Sequence, residues 1–160
     1  MGSGQVNPIA VYDPRIIYDI IPDHYIQYLC GLGYNDTQVS TDASNSIQCS
    51  IVGSIAHEDL NYPSISITLD PSKTKLVNRT LTNVGDANEV YNIDVEEPKG
   101  ISVVVSPSLI QFLQIGHEKN ATFEFSSKGM LLNQGNISDG QLKVDCGKHF
   151  IRSPISGTIL

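Results

Sequence analysis

Arg79-Thr80-Leu81-Thr82-Asn83-Val84-Gly85 reads as a strand that runs into an Asn-Val-Gly turn. The same period of two continues on both sides of it. Ile65, Ile67 and Leu69 alternate with Ser66 and Thr68. Tyr91, Ile93 and Val95 alternate with Asn92 and Asp94, and Ile101, Val103 and Val105 with Ser102 and Val104. Phe123 and Phe125 flank Glu124, and Leu142 and Val144 flank Lys143. Alternation of this kind marks strands with one buried face. Between them lie Asp70-Pro71-Ser72, Gly85-Asp86, Pro98-Lys99-Gly100, Ser106-Pro107-Ser108, Ile115-Gly116 and Gln134-Gly135, all turn chemistry. Short strands with regular turns predict an all-β antiparallel sandwich, with about seven strands between residues 60 and 160.

The first third of the chain reads differently. Pro8, Pro14 and Pro22 break any long element in residues 1–30. Residues 23–30 form one short helix in this reading, with Asp23 as N-cap and Tyr25, Tyr28 and Leu29 on one face. Residues 31–57 are rich in Gly, Asn, Asp and Ser and read as a linker. The expected organisation is therefore 1–30, a short irregular and helical segment; 31–57, a linker; and 58–160, the sandwich.

Composition excludes several partners. Of 160 residues 40% are apolar, enough for a core, and the net charge is −7. The ten Lys and Arg are scattered, whereas phosphate binding needs them clustered, so no nucleic-acid partner is expected. No apolar run approaches membrane-spanning length, so no membrane partner is expected. The N-terminus shows no secretory leader.

Two features nevertheless point outside the cytosol. Asn35-Asp36-Thr37, Asn78-Arg79-Thr80, Asn120-Ala121-Thr122 and Asn136-Ile137-Ser138 are N-glycosylation sequons. Cys30 and Cys49 enclose a polar, turn-rich segment, a spacing that suits a disulfide in an oxidising compartment. Such a bond is worth about 3 kcal/mol in the chain-entropy model. A secreted protein needs a leader, so the chain is expected to be a piece of a longer one, or Met1 not to be its true start. Met1-Gly2-Ser3-Gly4 reads either as a cloning scar or as native sequence.

Candidate chemistry is sparse. Cys146 and His149 sit three apart and could ligate zinc with further donors, of which His117 is the obvious one. A reactive thiol would need a lowered pKa, and a hairpin tip offers no helix N-terminus to lower it. Arg79 and Arg152 read as solvated or structurally paired strand residues. Glu58-Asp59 and Glu96-Glu97 read as solvated turn residues. Asn61 and Tyr62 are structural in this reading, with the Tyr62 ring packed. Pro63 sits where a strand begins and its missing N–H is harmless.

These stretches together carry a resemblance. Arg79–Gly85, Asp59-Leu60-Asn61-Tyr62-Pro63-Ser64 and Arg152-Ser153-Pro154-Ile155 resemble the fibronectin-III-like module that ends plant subtilisin-like serine proteases. Gly4-Gln5-Val6-Asn7-Pro8, Asp13-Pro14, Tyr18-Asp19, and Tyr25 with Leu29-Cys30 resemble the end of their catalytic domain. The family's Gly-x-Gly at the start favours native sequence there. The resemblance implies the Cys30–Cys49 pair, with Cys146 left over. It also implies that residues 1–30 are the catalytic domain's tail and 31–57 a disulfide-clamped linker.

The three family motifs that hold the catalytic Asp, His and Ser do not occur in this sequence, although His24, His57, His117 and His149 are present. No catalytic residue, cofactor or metal is expected. Two departures stand out: Val144 occupies the position of a family Trp, and Cys146 that of an Asp. The smaller Val144 should weaken the final hairpin by about 1–3 kcal/mol if nothing refills the space.

The resemblance implies a secreted endopeptidase, in the apoplast or cell wall, whose upstream catalytic domain is the partner of these residues. Self-association is expected through an apolar patch of Ile16, Ile17, Tyr25 and Leu29. Two rivals remain open: a free-standing interaction module from a truncated gene, and a metal or thiol enzyme built on Cys146 and His149.

Overall fold

The structure, a computed structural model, describes residues 7–129 and 137–160. The strands are β1 (Ile16–Ile17), β2 (Ile65–Leu69), β3 (Lys75–Asn83), β4 (Glu89–Glu96), β5 (Ile101–Ser106), β6 (Leu109–Phe112), β7 (Glu118–Ser127), β8 (Ile137–Asp145) and β9 (Phe150–Ile159). They form two packed sheets, of order β1-β3-β7-β5 and β2-β9-β8-β4-β6. The all-β sandwich read from the alternation is what the chain builds.

One pairing departs from the antiparallel expectation. β2 runs parallel to β9, with Ile65 opposite Ile155 and Leu69 opposite Ile159. Parallel neighbours need a long connection between them, and here the whole sandwich intervenes.

The core is the set of residues the alternation points inward. Ile65, Ile67 and Leu69 face Val77, Leu81, Phe123 and Phe125 within one cluster that also holds Tyr91, Ile93, Phe112, Leu142 and Val144. Burying each such side chain fully stabilises by about 1.5–3 kcal/mol. The sheets approach closely at Gly157, where a Cβ would stand 2.3 Å from Ile101 Cδ1.

The N-terminal third is more ordered than the sequence suggested. Its helices are α1 (Pro8–Tyr12), α2 (Pro22–Gly31), α3 (Asp36–Ala43) and α4 (Cys49–Val52). Asp23 is not the cap of α2: Ile21 holds that place, Pro22 begins the helix, and Asp23 lies in the first turn. Proline is suited to that first position because its missing N–H has no helical partner to lose.

Within the stretch expected to be turn chemistry, α3 opens on a capping box. The Asn35 carboxamide accepts from Gln38 N–H, and the Gln38 side chain accepts from Asn35 N–H. A disulfide joins Cys30 at the end of α2 to Cys49 at the start of α4. Val39, fully buried, sits apart from the sandwich core.

Ile16 corrects a further expectation. It does not contribute to an exposed patch: it is 3% exposed and belongs to the sandwich core. Ile17 and Leu29 are half-buried, while Tyr25 remains exposed.

Candidate functional site

Among the described residues, a dense polar construction is the seam between residues 13–19 and the sandwich. It begins with Arg15, whose backbone is left-handed at φ 61°. A bulky residue adopts that conformation only when its surroundings hold it there. The Arg15 carbonyl accepts from Val84 N–H (2.8 Å) and Gly85 N–H (2.9 Å). Its guanidinium donates to Asp13 at 3.0 Å and to Asp86 at 2.5 Å. Gly85 serves this approach, since a Cβ there would stand 2.5 Å from Arg15 Cδ. The turn glycine read from the sequence is thus a contact glycine.

β1 follows and pairs antiparallel with the end of β3, Ile16 opposite Asn83 and Ile17 opposite Thr82. Asn83 is fully buried. Its Nδ2 donates to the carbonyls of Asp86 and Gln114, and its Oδ1 accepts from Gly85 N–H. One side chain therefore ties together the turns that follow β3 and β6.

Tyr18 and Asp19 complete the seam. The Tyr18 and Ser153 hydroxyls are 2.8 Å apart and share a hydrogen bond, and burial pushes the Tyr18 phenol above its ordinary pKa. Asn61 Nδ2 donates to the carbonyls of Asp19 and Thr80. Its Oδ1 accepts from Thr80 N–H.

Beside it, Arg79 is 3% exposed. It donates to four carbonyls, those of Glu58, Tyr62, Ser64 and Asn78. Desolvation pulls its pKa below the ordinary value. The guanidinium fork suits this work because its donors point in fixed directions.

Two expectations at this seam are overturned. Glu58 is not solvated: it is 6% exposed and its carboxylate pairs with Lys75 and His57. A carboxylate can be buried only when a cation accompanies it. The Tyr62 ring is not packed but 53% exposed. Its carbonyl, not its ring, does the structural work by accepting from Arg79.

The other candidates lie elsewhere. Cys146 is a free, half-buried thiol that donates to the His149 carbonyl at 3.6 Å in the β8–β9 turn. His117 sits before β7 with its ring edge-on to Phe112. Among the described residues no three His, Cys, Asp or Glu side chains are grouped to hold a metal. Arg152 is exposed and donates to Gln141. Val144 is fully buried.

The three sequons among the described residues occupy two places. Asn35 caps α3 and is exposed. Asn78 on β3 and Asn120 on β7 lie on the outer face of one sheet. Asn136 falls outside the described residues.

Of the seam residues, sequence reasoning had singled out Arg79 and Asn61. It quoted Asn83, Tyr18 and Ser153 only within stretches that carry the family resemblance, with no role assigned, and it missed Arg15. Within residues 13–19 the pattern signal was the β-branched pair Ile16-Ile17, too short to show a period.

The family comparison agrees with this architecture. A family model described as a fibronectin type-III domain matches residues 59–156. Subtilisin-like protease SBT4.14 of Arabidopsis thaliana is 36% identical over 159 residues, 96% of this chain and 21% of that protein. Subtilisin-like protease SBT5.3 of the same plant is 35% identical over 158 residues, covering 96% and 20%. Subtilisin-like protease SBT1.5 is 32% identical over 165 residues, covering 99% and 21%. The chain thus spans about a fifth of the length of the curated relatives it matches. The solved CupB2 chaperone of Pseudomonas aeruginosa is similar over 59% of this chain and 52% of its own, at a TM-score of 0.43 and 11% identity. The chain belongs to the fibronectin type-III family, in the form found in the C-terminal region of plant subtilisin-like proteases.

Proposed function

We propose that this chain is the non-catalytic end of a secreted plant subtilisin-like serine endopeptidase and supports the stability or assembly of the catalytic domain upstream. The observation that carries this reading is the seam. Residues 1–30 resemble the tail of a catalytic domain, and Arg15 to Asp19 of that segment are built into the sandwich by β1 and its polar contacts. A catalytic domain joined at this place is held by a strand with a buried Ile16, not by a free linker. Relative domain motion is the default for a loosely linked pair, and the seam opposes it.

In this reading residues 31–57 form a disulfide-clamped excursion and 58–160 the sandwich proper. The Cys30–Cys49 bond fits an extracellular setting, the apoplast or cell wall. The exposed sequons at Asn35, Asn78 and Asn120 fit the same route. In this reading the isolated chain should hydrolyse no peptide bond and should not be labelled by a serine-directed fluorophosphonate probe.

The test is made in the parent enzyme. Deleting the sandwich, or replacing Ile16 by Asp, should reduce secreted yield and shorten the half-life of activity at elevated temperature. A deletion variant secreted at parental level with parental heat resistance would sink the supporting role.

A further inference from the structure

Two sequons face each other across a single ladder. In the β3–β7 pairing Asn78 stands opposite Thr122, and Thr80 opposite Asn120. Each sequon's Asn therefore meets the other sequon's Thr. The Thr122 hydroxyl donates to Asn78 Oδ1 at 2.9 Å, and the Thr80 hydroxyl donates to Asn120 Oδ1 at 2.9 Å. Asn78 Nδ2 also makes a long 3.4 Å contact to Asp59 Oδ1. Both asparagines are exposed, on the face away from the core, while Val77, Arg79, Ala121 and Phe123 between them point inward.

We infer that, of these two facing glycan acceptors, folding order selects Asn78 over Asn120. The inference rests on the secretory reading above. The acceptor motif requires the hydroxyl two residues after the Asn. Once β3 and β7 pair, both hydroxyls are bound to the opposite carboxamide, and both sequons are locked in a ladder. Transfer must precede pairing. Asn78 is made first, and Thr122 follows it by 44 residues. At about 5–20 residues per second the first sequon stays open for a few seconds. Asn120 emerges when both its ladder neighbours, β3 and β5, already exist.

The chemistry is a group transfer. Asn78 Nδ2 bonds to the anomeric carbon of an oligosaccharide carried on a lipid pyrophosphate. The anomeric C–O bond breaks, the lipid pyrophosphate leaves with the electron pair, and the amide proton passes to solvent. Asn78 Oδ1 is unchanged and still accepts from Thr122, so the glycan is compatible with the ladder. Diagonal neighbours on one sheet face are about 7–8 Å apart, so a branched glycan on Asn78 crowds a second on Asn120. The consequence is a solvent-facing outer sheet that the catalytic domain does not cover.

The test is site occupancy by glycopeptide mass spectrometry on the full chain, secreted from plant cells behind an added leader. Asn78 should be occupied on most molecules and Asn120 on a minority. Asn78→Asp, which keeps an acceptor oxygen for Thr122 and so keeps the ladder, should leave Asn120 at minority occupancy. Asn120→Asp should leave Asn78 unchanged. If Asn78→Asp is not secreted, Asn78→Gln makes the same measurement. Glycans on both residues of most molecules, or Asn120 rising to majority occupancy in Asn78→Asp, overturns selection by folding order. Secreted chain bare at both overturns the acceptor assignment. The secretory reading is tested apart, by locating the parent expressed with its own leader.

Discussion

Asn61 holds Thr80 by both edges of its peptide: Nδ2 donates to the Thr80 carbonyl at 2.9 Å and Oδ1 accepts from Thr80 N–H at 2.8 Å. The side chain does for β3 what a neighbouring strand would do. The third bond, to the Asp19 carbonyl, brings the N-terminal segment into the same contact. Asn61→Ala leaves these groups without partners in a site 8% exposed. A buried unsatisfied group costs about 1–3 kcal/mol. The variant should lose about 2–3 kcal/mol in urea denaturation followed by circular dichroism. A change below about 0.5 kcal/mol, the scatter of ordinary surface substitutions, would remove Asn61 from the seam.

Ile16→Ala tests whether β1 belongs to the sandwich. Removing a buried Ile to Ala costs about 2–5 kcal/mol, with the lower end expected for a strand of two residues at a sheet edge. Hydrogen exchange is the sharper probe. Val84 and Gly85 N–H donate to Arg15, so their protection should fall more than that of Phe123 at the sheet centre. Equal loss at all three would mean that β1 unfolds only with the whole domain.

Val144→Trp should destabilise, contrary to what the family pattern alone suggests. Val144 is fully buried, with Ile93 opposite it on one side and Ile151 on the other. Overpacking such a position costs about 1–3 kcal/mol. A raised melting temperature would show that space for the ring had been left.

Stability should fall with acid in a window set by Asp70. This carboxylate accepts from the Ser72 N–H and hydroxyl and pairs with Lys73. The Ser72 backbone bond, first among these, holds its pKa down at about 2 from 3.8. A depressed carboxylate favours the fold above its unfolded pKa, and that contribution is lost as pH falls through the folded value. The loss therefore runs from about pH 4 to about pH 2. Asp70→Asn should flatten the stability profile in that window, because the variant lacks at pH 7 the contribution that the ionised carboxylate makes and matches the parent only near pH 2. An identical acid slope in the variant would rule out Asp70 as its source.

Non-reducing peptide mapping should recover Cys30 joined to Cys49 and Cys146 as a thiol. Reduction should expose residues 32–48 to protease first, since Val39 is not part of the sandwich core. The loss of cross-link is worth about 3 kcal/mol. Simultaneous cleavage in β3 or β7 would mean that the helices and the sandwich unfold together.

What the sequence by itself determined is everything that depends on local pattern. Alternation places Ile65, Ile67, Leu69, Phe123 and Phe125 in a core, because a strand turns successive side chains to opposite faces. The sandwich, most of α2 and the separators are legible on that ground. α3 was not read, because only Val39 among its residues is buried and a single apolar side chain shows no period. Its capping box, Asn35 to Gln38, was the signal available.

Tertiary structure alone decided the rest. Nothing local says that Ile16 lies opposite Asn83, that Glu58 is buried beside Lys75, or that the Arg79 guanidinium collects four carbonyls. The facing of Asn78 with Thr122 belongs to the same class: it depends on the register of two strands 44 residues apart. Polar side chains look alike in sequence whether they meet water or a buried carbonyl. The difference arises only when folding removes the water, and distant backbone must then supply the partners.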